Sequence, residues 1–463
     1  MGAVYQQEAH KEYCKHVGKK LILGAIYALL PLALLHSLLF RSIPSQHDDD
    51  QDYSIPSSQG LRAFACEPLG VPRRVSLLVL RVACVAKKIE EKGVGLQHCD
   101  YSNGDWVAST QGPKYNNTSC KMIRTGQNCL GNGRPDTGYL YWRWQPRECK
   151  LNEFDPHLFL KFIEKRHIAF IGDSLARNQL ESLLCLLTTV SSPVLKYQYG
   201  EDNKFRRWTF DPPYNATISI YWSPFLVKAM DTTQGHNKVY MDSIDKRWAS
   251  EINTMDMIIF SIGHWFNKPA IFYENGRVLG CHNCGTDNSN HTEVGIFDMM
   301  RKVTRAAIDE VSERVYKHRE IFVATTTFSP DHFEGAWDKA GACPKVKPYE
   351  DGEKEIGYVE REMRRVVVEE VEVAAKVVEE KGRRIRFEIL DVMKLASMRP
   401  DGHPGHYIHP YVMAKGYKGP FHNDCLHWCL PGPIDAWNEI LLELIKRWEH
   451  EESLNKGLVR WLD

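Results

Sequence analysis

One continuous stretch constrains the chain more than any other: His167-Ile-Ala-Phe-Ile-Gly-Asp-Ser-Leu-Ala-Arg-Asn-Gln-Leu-Glu-Ser182, where an apolar segment turns at Gly172-Asp173-Ser174 and runs on into a helical pattern. Ile168 to Ile171 predicts a buried strand, and Leu175, Leu180, Leu183, Leu184 and Leu187 recur at helical spacing. A strand that turns this way projects the turn residue from the end of a sheet. It also aims the first free N–H groups of the helix at whatever binds there. Ser174 holds that position. Its hydroxyl is a weak nucleophile alone and requires a base. Gly-Asp-Ser by itself is equally the spelling of an ordinary strand-to-helix turn.

The candidate base lies far downstream, in Asn423-Asp424-Cys425-Leu426-His427-Trp428-Cys429. Asp424 and His427 are three residues apart, a spacing that can put both on one side of a turn. His427 would take the Ser174 proton, while Asp424 orients the imidazole and stabilises its charged form. Arg177 and Asn178 follow the turn closely enough to hold an acyl oxygen, with helix-end packing as the alternative. Gly172, Asp173 and Gly263 are the further oxyanion or acyl-binding candidates. Gly263 belongs to Ser261-Ile-Gly-His-Trp-Phe266, which follows a second apolar strand candidate. His264 and Trp265 there are substrate-groove candidates, a hydrogen-bonded structural histidine being the competing reading of His264. Arg206, Arg207, Trp208 and Trp222 mix charge with aromatic surface as an oligosaccharide groove would, although a solvated loop and an edge strand explain them almost as well.

Apolar segments at 168–171, 257–262, 321–325 and 385–392 alternate with helical stretches, the most charged being 360–380. That alternation predicts an α/β fold with a mostly parallel sheet covered on both faces. Asp435 is expected to cap a last amphipathic helix, 436–448, with Ile440, Leu441, Leu444 and Ile445 facing inward.

The chain carries 59 basic and 59 acidic residues, which excludes the basic excess of a nucleic-acid binder. Its thirteen cysteines fit an oxidising compartment better than the cytosol. Residues 1–20 hold several lysines, and 21–40 form an almost uninterrupted apolar run of bilayer-spanning length, so a type II signal anchor is expected in preference to a cleaved signal peptide. A luminal stalk (41–97) follows, with no assigned role for Cys66 and Cys84. Sequons at Asn116, Asn117, Asn215 and Asn290 agree with a luminal location. Cys281-His-Asn-Cys284 could be half of a zinc site, but with no second Cys-x-x-Cys a local disulfide is preferred and no metal is expected.

Residues 98–151 are dense in cysteine, turn residues and aromatics and too poor in aliphatic residues to hold together without disulfides. The aromatic residues there suit sugar faces, yet packing against the main domain is the preferred reading for any one Trp.

With these residues assembled, the chain resembles the plant trichome birefringence-like family of polysaccharide O-acetyltransferases, from about Cys99 to Trp448. Gly172-Asp173-Ser174 matches its GDS motif and Asp424-x-x-His427 its DxxH motif. Cys99-Asp-Tyr…Gly-x-Trp106 and Gly133-Arg-Pro-Asp136…Tyr141-Trp-x-Trp144 match its cysteine-rich module. Stretches around 200–208, 263–266 and 280–284 look most like the xyloglucan-acetylating members. The resemblance implies an SGNH/GDSL-esterase-like sandwich at 152–450, a module at 98–151, a short tail at 451–463, and a Golgi membrane enzyme with a luminal catalytic domain. It implies a Ser174–His427–Asp424 triad moving acetyl groups onto hemicellulose hydroxyls. An acetyl donor, acetyl-CoA or an acetylated carrier, would be required, together with possible donor-supplying Golgi membrane proteins. Taking the family-matching cysteines as the available partners, the expected pairing is Cys99–Cys149, Cys120–Cys185, Cys129–Cys429 and Cys343–Cys425, a hypothesis that spacing does not fix. Rival readings share the sequence: an acetyltransferase acting on xylan, mannan or pectin, a polysaccharide acetylesterase using the same groups, and a non-catalytic wall-polysaccharide-binding protein.

Overall fold

The computed structural model describes residues 99–462 apart from 200–203, 233–234, 284–290 and 411–420. The expected anchor at 21–40, the stalk, and Cys284 and Asn290 therefore lie outside the described residues. Among the described residues no helix is long and apolar enough to cross a membrane.

The chain opens with a two-stranded antiparallel ribbon, β1 (Gly104–Ala108) and β2 (Trp142–Pro146). Helix α1 (Pro156–Phe162) then leads into β3 (His167–Gly172) and α2 (Ser174–Leu187). The strands β4 (Val194–Tyr199), β5 (Phe205–Thr209), β6 (Thr217–Trp222), β7 (Val227–Asp231) and β8 (Asn237–Ile244) follow. After the short α3 (Lys246–Ala249) come β9 (Met257–Ser261), β10 (Ala270–Glu274), β11 (Arg277–His282), α4 (Ile296–Arg314), β12 (Ile321–Thr326), α5 (Tyr358–Glu380), β13 (Ile385–Leu390), α6 (Met393–Ser397) and α7 (Asp435–Leu462).

The main sheet has the order β13-β12-β9-β3-β6-β5-β4. Its first five strands are parallel, and β5 and β4 close one edge antiparallel. The central strand β3 is buried at every residue, which is why it reads as a continuous apolar run. Alternation along these strands feeds two cores. Ile168, Phe170, Met257 and Ile259 pack with α2 and α7 on one side. Ala169, Ile171, Ile258 and Phe260 pack with α4 and α5 on the other. A second, four-stranded sheet, β11-β10-β8-β7, was not anticipated; in β8 buried and half-buried residues alternate, with no apolar run to signal the strand.

Two helix ends differ from expectation. The last helix extends to Leu462, and Asp435 is its first residue instead of its cap. The Asp435 carboxylate accepts from Ser182 Oγ, Tyr115 Oη at 2.8 Å and the Gly432 N–H at 3.2 Å. Ile440, Leu441, Leu444 and Ile445 are buried as the periodicity requires.

Four disulfides join Cys99–Cys149, Cys120–Cys185, Cys129–Cys429 and Cys343–Cys425, the expected pairing. Cys281 is also disulfide-bonded. The N-terminal module is thus welded to the main domain. Trp106 donates its indole N–H to Leu395 O at 2.8 Å, packs edge-on against Trp144, and carries the Arg399 guanidinium 4.3 Å over its ring. Trp106 and Trp144 are buried, so they serve packing and offer no face to a sugar.

Candidate active site

Gly172 closes β3 against β9. A Cβ there would stand 1.8 Å from the Ser261 carbonyl oxygen, so only glycine allows the strands to meet this closely. The Asp173 N–H donates to that same oxygen at 3.0 Å, and the Asp173 Oδ1 caps the helix by accepting from Leu175 N at 2.9 Å. Ser174, half-buried, is therefore the first residue of α2, at the carboxyl end of the central strand.

The Asp424-to-Cys429 loop reaches this helix through Asn178. The Trp428 N–H donates to Asn178 Oδ1 at 2.7 Å, and Asn178 Nδ2 donates to Trp428 O at 3.3 Å. Asn178 is fully buried and its amide is committed at both ends. That corrects its expected role in holding an acyl oxygen: it positions the neighbouring loop. The loop is fixed again by Cys429 N to Gly402 O at 2.9 Å and by paired bonds between Asp424 and Gly405 at 2.8 and 3.0 Å.

Within the loop, His427 Nδ1 lies 2.7 Å from Asp424 Oδ2. Asp424 Oδ1 accepts the backbone N–H groups of Leu426 at 3.0 Å and His427 at 2.8 Å. Burial pushes the Asp424 carboxyl up, but the His427 charge and these hydrogen bonds outweigh it and hold the group well below the usual carboxylate range. Burial likewise pulls His427 down, and the Asp424 charge and hydrogen bond reverse this, leaving His427 raised. His427 Nε2 is buried without a hydrogen-bond partner among the described residues, as is Asp173 Oδ2. The Asp173 carboxyl is raised by burial, opposed by the charges of His264 and His427. These electrostatic neighbours gather Asp173, His264, Arg177 and His427 at one place.

The other expected site residues divide. Gly263 lies two residues beyond the Ser261 oxygen that receives Asp173, and a Cβ on it would meet Phe328 at 2.6 Å. His264 Nε2 is 2.6 Å from Ser329 O, so it donates there, and its ring stacks on Phe328 at 4.5 Å; burial holds it below the usual histidine value. The Arg177 guanidinium lies 5.2 Å over Trp222, which meets Trp265 edge-on at 5.7 Å. Trp222 ends β6 directly opposite Gly172, so this aromatic pair lies at the same end of the sheet as the serine.

Arg206, Arg207 and Trp208 do not join that pair. Arg206 pairs with buried Glu181 at 2.7 Å, Arg207 bonds Tyr221 Oη at 2.8 Å and Glu251, and Trp208 is buried in the core. Alternation along β5 divides them between the two faces of the sheet; Arg206 is spent on a buried carboxylate and Arg207 on a partly exposed one. Asn116 and Asn215 are exposed and Asn117 is half-buried. Among the described residues no cluster of three His, Cys, Asp or Glu side chains is arranged to hold a metal.

Sequence reasoning missed His332 and His403, which lie behind the His427 loop. His332 stands alone in sequence and His403 begins the run His403-Pro-Gly-His406-Tyr-Ile-His409, and the two meet only through the loops that follow β12 and α6.

Fold and geometry together define a class: an α/β protein with a serine at a strand-to-helix turn, and a hydrogen-bonded Asp–His pair on a loop bonded to the same helix, the constellation of acyl chemistry. The profile of the PC-Esterase family, described as GDSL/SGNH-like acyl-esterases found in Pmr5 and Cas1p, matches residues 151–444. That of the PMR5 N-terminal domain matches 97–150. The chain belongs to the PC-Esterase family. It is 53% identical over 357 residues to xyloglucan O-acetyltransferase 1 of Populus trichocarpa, spanning 76% of this chain and 82% of that one. Xyloglucan O-acetyltransferase 1 of Arabidopsis thaliana is 49% identical over 354 residues, 76% and 81% of the two chains. Protein trichome birefringence-like 25 of Arabidopsis thaliana is 42% identical over 449 residues, 95% and 93%.

Proposed function

We propose that the protein is a hemicellulose O-acetyltransferase that works by double displacement, with xyloglucan as its acceptor. The observation that carries the mechanism is the His427 imidazole, bonded to Asp424 at 2.7 Å through Nδ1 while its buried Nε2 has no partner among the described residues. With Nδ1–H held by the carboxylate, Nε2 presents a lone pair and can take a proton from Ser174. Ser174 attacks the acetyl carbonyl of the donor, its proton passes to His427, and the donor's leaving group departs with that proton. The same His427 then deprotonates a sugar hydroxyl, which attacks the acetyl-serine and regenerates Ser174. The backbone N–H of Ser174, with that of Gly263, supports the oxyanion. Trp222 and Trp265 offer the sugar an apolar wall.

Xyloglucan as acceptor rests on the relatives that carry that name. The donor is acetyl-CoA or an acetylated carrier, supplied on the luminal side of a Golgi membrane to a protein anchored through residues 21–40. Sequons at Asn116, Asn117 and Asn215 would be glycosylated there, as would Asn290.

A second reading is favoured by the family's description as acyl-esterases: water in place of the sugar in the second step. One experiment separates the two. The purified full chain is incubated with acetyl-CoA or an acetylated small ester and de-acetylated xyloglucan, and both acetyl-Ser174 and acetylated glycan are sought by mass spectrometry. Transfer to glycan supports the transferase, and free acetate alone supports the esterase. A Ser174→Ala chain that still acetylates would sink both.

A further inference from the structure

Behind the His427 loop two buried histidines are linked nitrogen to nitrogen, with His332 Nδ1 2.7 Å from His403 Nε2. Each outer nitrogen meets a carbonyl oxygen: His332 Nε2 lies 2.8 Å from Ser397 O, and His403 Nδ1 lies 2.8 Å from His427 O. A carbonyl oxygen only accepts, so both outer nitrogens must carry hydrogen. Two neutral imidazoles hold one N–H each, and those are already used. The inner contact would then set two lone pairs against each other at hydrogen-bond distance. Only a third proton, between the rings, makes all three contacts attractive.

We propose that His332 and His403 are a positioning pair that shares one proton, carries a single positive charge, and uses it to hold the backbone of His427 in place. The proposal rests on the reading of His427 as the catalytic base. His403 grips the carbonyl of that very residue, and the His332 backbone N–H donates to Cys425 O at 2.9 Å, so the pair holds the base loop at two points.

Burial pulls both rings below the ordinary histidine value, His403 further, and a charge on His332 opposes one on His403, so the pair holds a single extra proton at most. Asp331 and Asp401 raise His332 and Asp424 raises His403, whereas Lys354 lowers His332 and the His427 charge lowers His403. Asp401 is committed to Arg399 at 2.8 and 3.0 Å, and Asp424 to His427. The Arg134 guanidinium is turned to the His403 carbonyl at 2.9 Å, away from its ring. The shared charge is therefore held mainly by the two carbonyl oxygens and by Trp428, whose ring stacks on His403 at 4.2 Å.

When pH rises far enough, the proton leaves to solvent, the inner contact turns repulsive, and His427 loses its support. The support is thus present on the acid side and lost on the alkaline side. The first test counts protons on the full chain with 15N-labelled histidine. At a pH where the fold is intact and acidic, three of the four ring nitrogens of His332 and His403 should report as protonated. Two protonated nitrogens would overturn the proposal, and this count stands whether or not the chain transfers acetyl groups. The second test is the ring-nitrogen titration of His403 in His332→Asn, whose amide donates to His403 Nε2 without a titrating proton. In the wild-type chain His403 Nε2 should lose its share of the proton as pH rises, while in the variant it should stay unprotonated across that range. A titration step of wild-type shape in the variant would mean a structural role only. If the variant does not fold, the proton count on the wild-type chain decides.

Discussion

Asn178, one helical turn after Ser174, holds both backbone polar groups of Trp428, the residue immediately after His427. The nucleophile's helix and the base's loop are therefore registered through one buried amide. Asn178→Ala strips both bonds and leaves a buried N–H and C=O unsatisfied, at a cost of about 1–3 kcal/mol. It should lower kcat on the order of a hundredfold, because a shift of about 1 Å in the base suffices for that. KM should change little. Steady-state kinetics beside a melting curve would separate the two effects, and an unchanged kcat would refute the registration.

The Asp424–His427 pair gives a pH dependence of definite sign. His427 is raised above the ordinary histidine value and works as a base only when neutral. Activity should therefore fall on the acid side at a pH above the ordinary histidine value of about 6.5. The pair's contribution to stability runs the other way for His427. It is fully present below the ordinary histidine value and lost as pH rises through the raised one. For Asp424 it is present above the ordinary carboxylate value and lost as pH falls through its depressed one. In Asp424→Asn the acid limb should move down, with residual activity from a misoriented tautomer. A kcat/KM profile with its limb unmoved would contradict the assignment.

Two disulfides bracket His427, Cys343–Cys425 and Cys129–Cys429. Replacing Cys343 and Cys425 together by serine should cost about 2–5 kcal/mol and lower turnover further than the loss of stability explains. Peptide mapping without reduction checks the bonds themselves. Free thiols at Cys425 and Cys429, or a bond between the two, would overturn the arrangement.

Glu439 is raised to about 7 and Asp435 to about 6, chiefly by burial beneath the N-terminal module. Both exceed ordinary carboxyl values, so the folded protein binds protons more tightly than the unfolded chain, and stability should fall as pH rises from about 4 to 7. Glu439→Gln should flatten that slope. Melting temperatures across this range test it; an unaltered slope would exclude Glu439 as a source.

Trp222 and Trp265 meet edge-on at the serine end of the main sheet, so Trp222→Ala should raise KM for a polysaccharide acceptor several-fold and spare acetyl-enzyme formation. Comparing glycan-dependent turnover with formation of acetyl-Ser174 distinguishes a sugar wall from a general packing residue.

Whatever depends on local pattern is legible in the chain itself. Ile168 to Ile171, Met257 to Ile262 and Ile321 to Thr325 announce central parallel strands because both faces are buried and no polar alternation interrupts them. Gly172-Asp173-Ser174 announces its turn because only glycine permits the approach to Ser261. Asp424 and His427 announce their pairing because three residues of one turn separate them. The β4–β5 edge and the second sheet stayed hidden, since the fully exposed β4 tolerates Lys196 and Gln198 and the partly buried β8 tolerates Lys238. What each long polar side chain meets is a matter of tertiary packing alone. Asn178 looked like an acyl-binding group and Arg206 and Arg207 like groove residues, but burial makes Asn178 and Arg206 spend their hydrogen bonds on Trp428 and Glu181, and Arg207 is taken up by the partly exposed Glu251. His332 and His403 are paired by loops from distant parts of the chain, and no local spacing encodes a contact made across 71 residues.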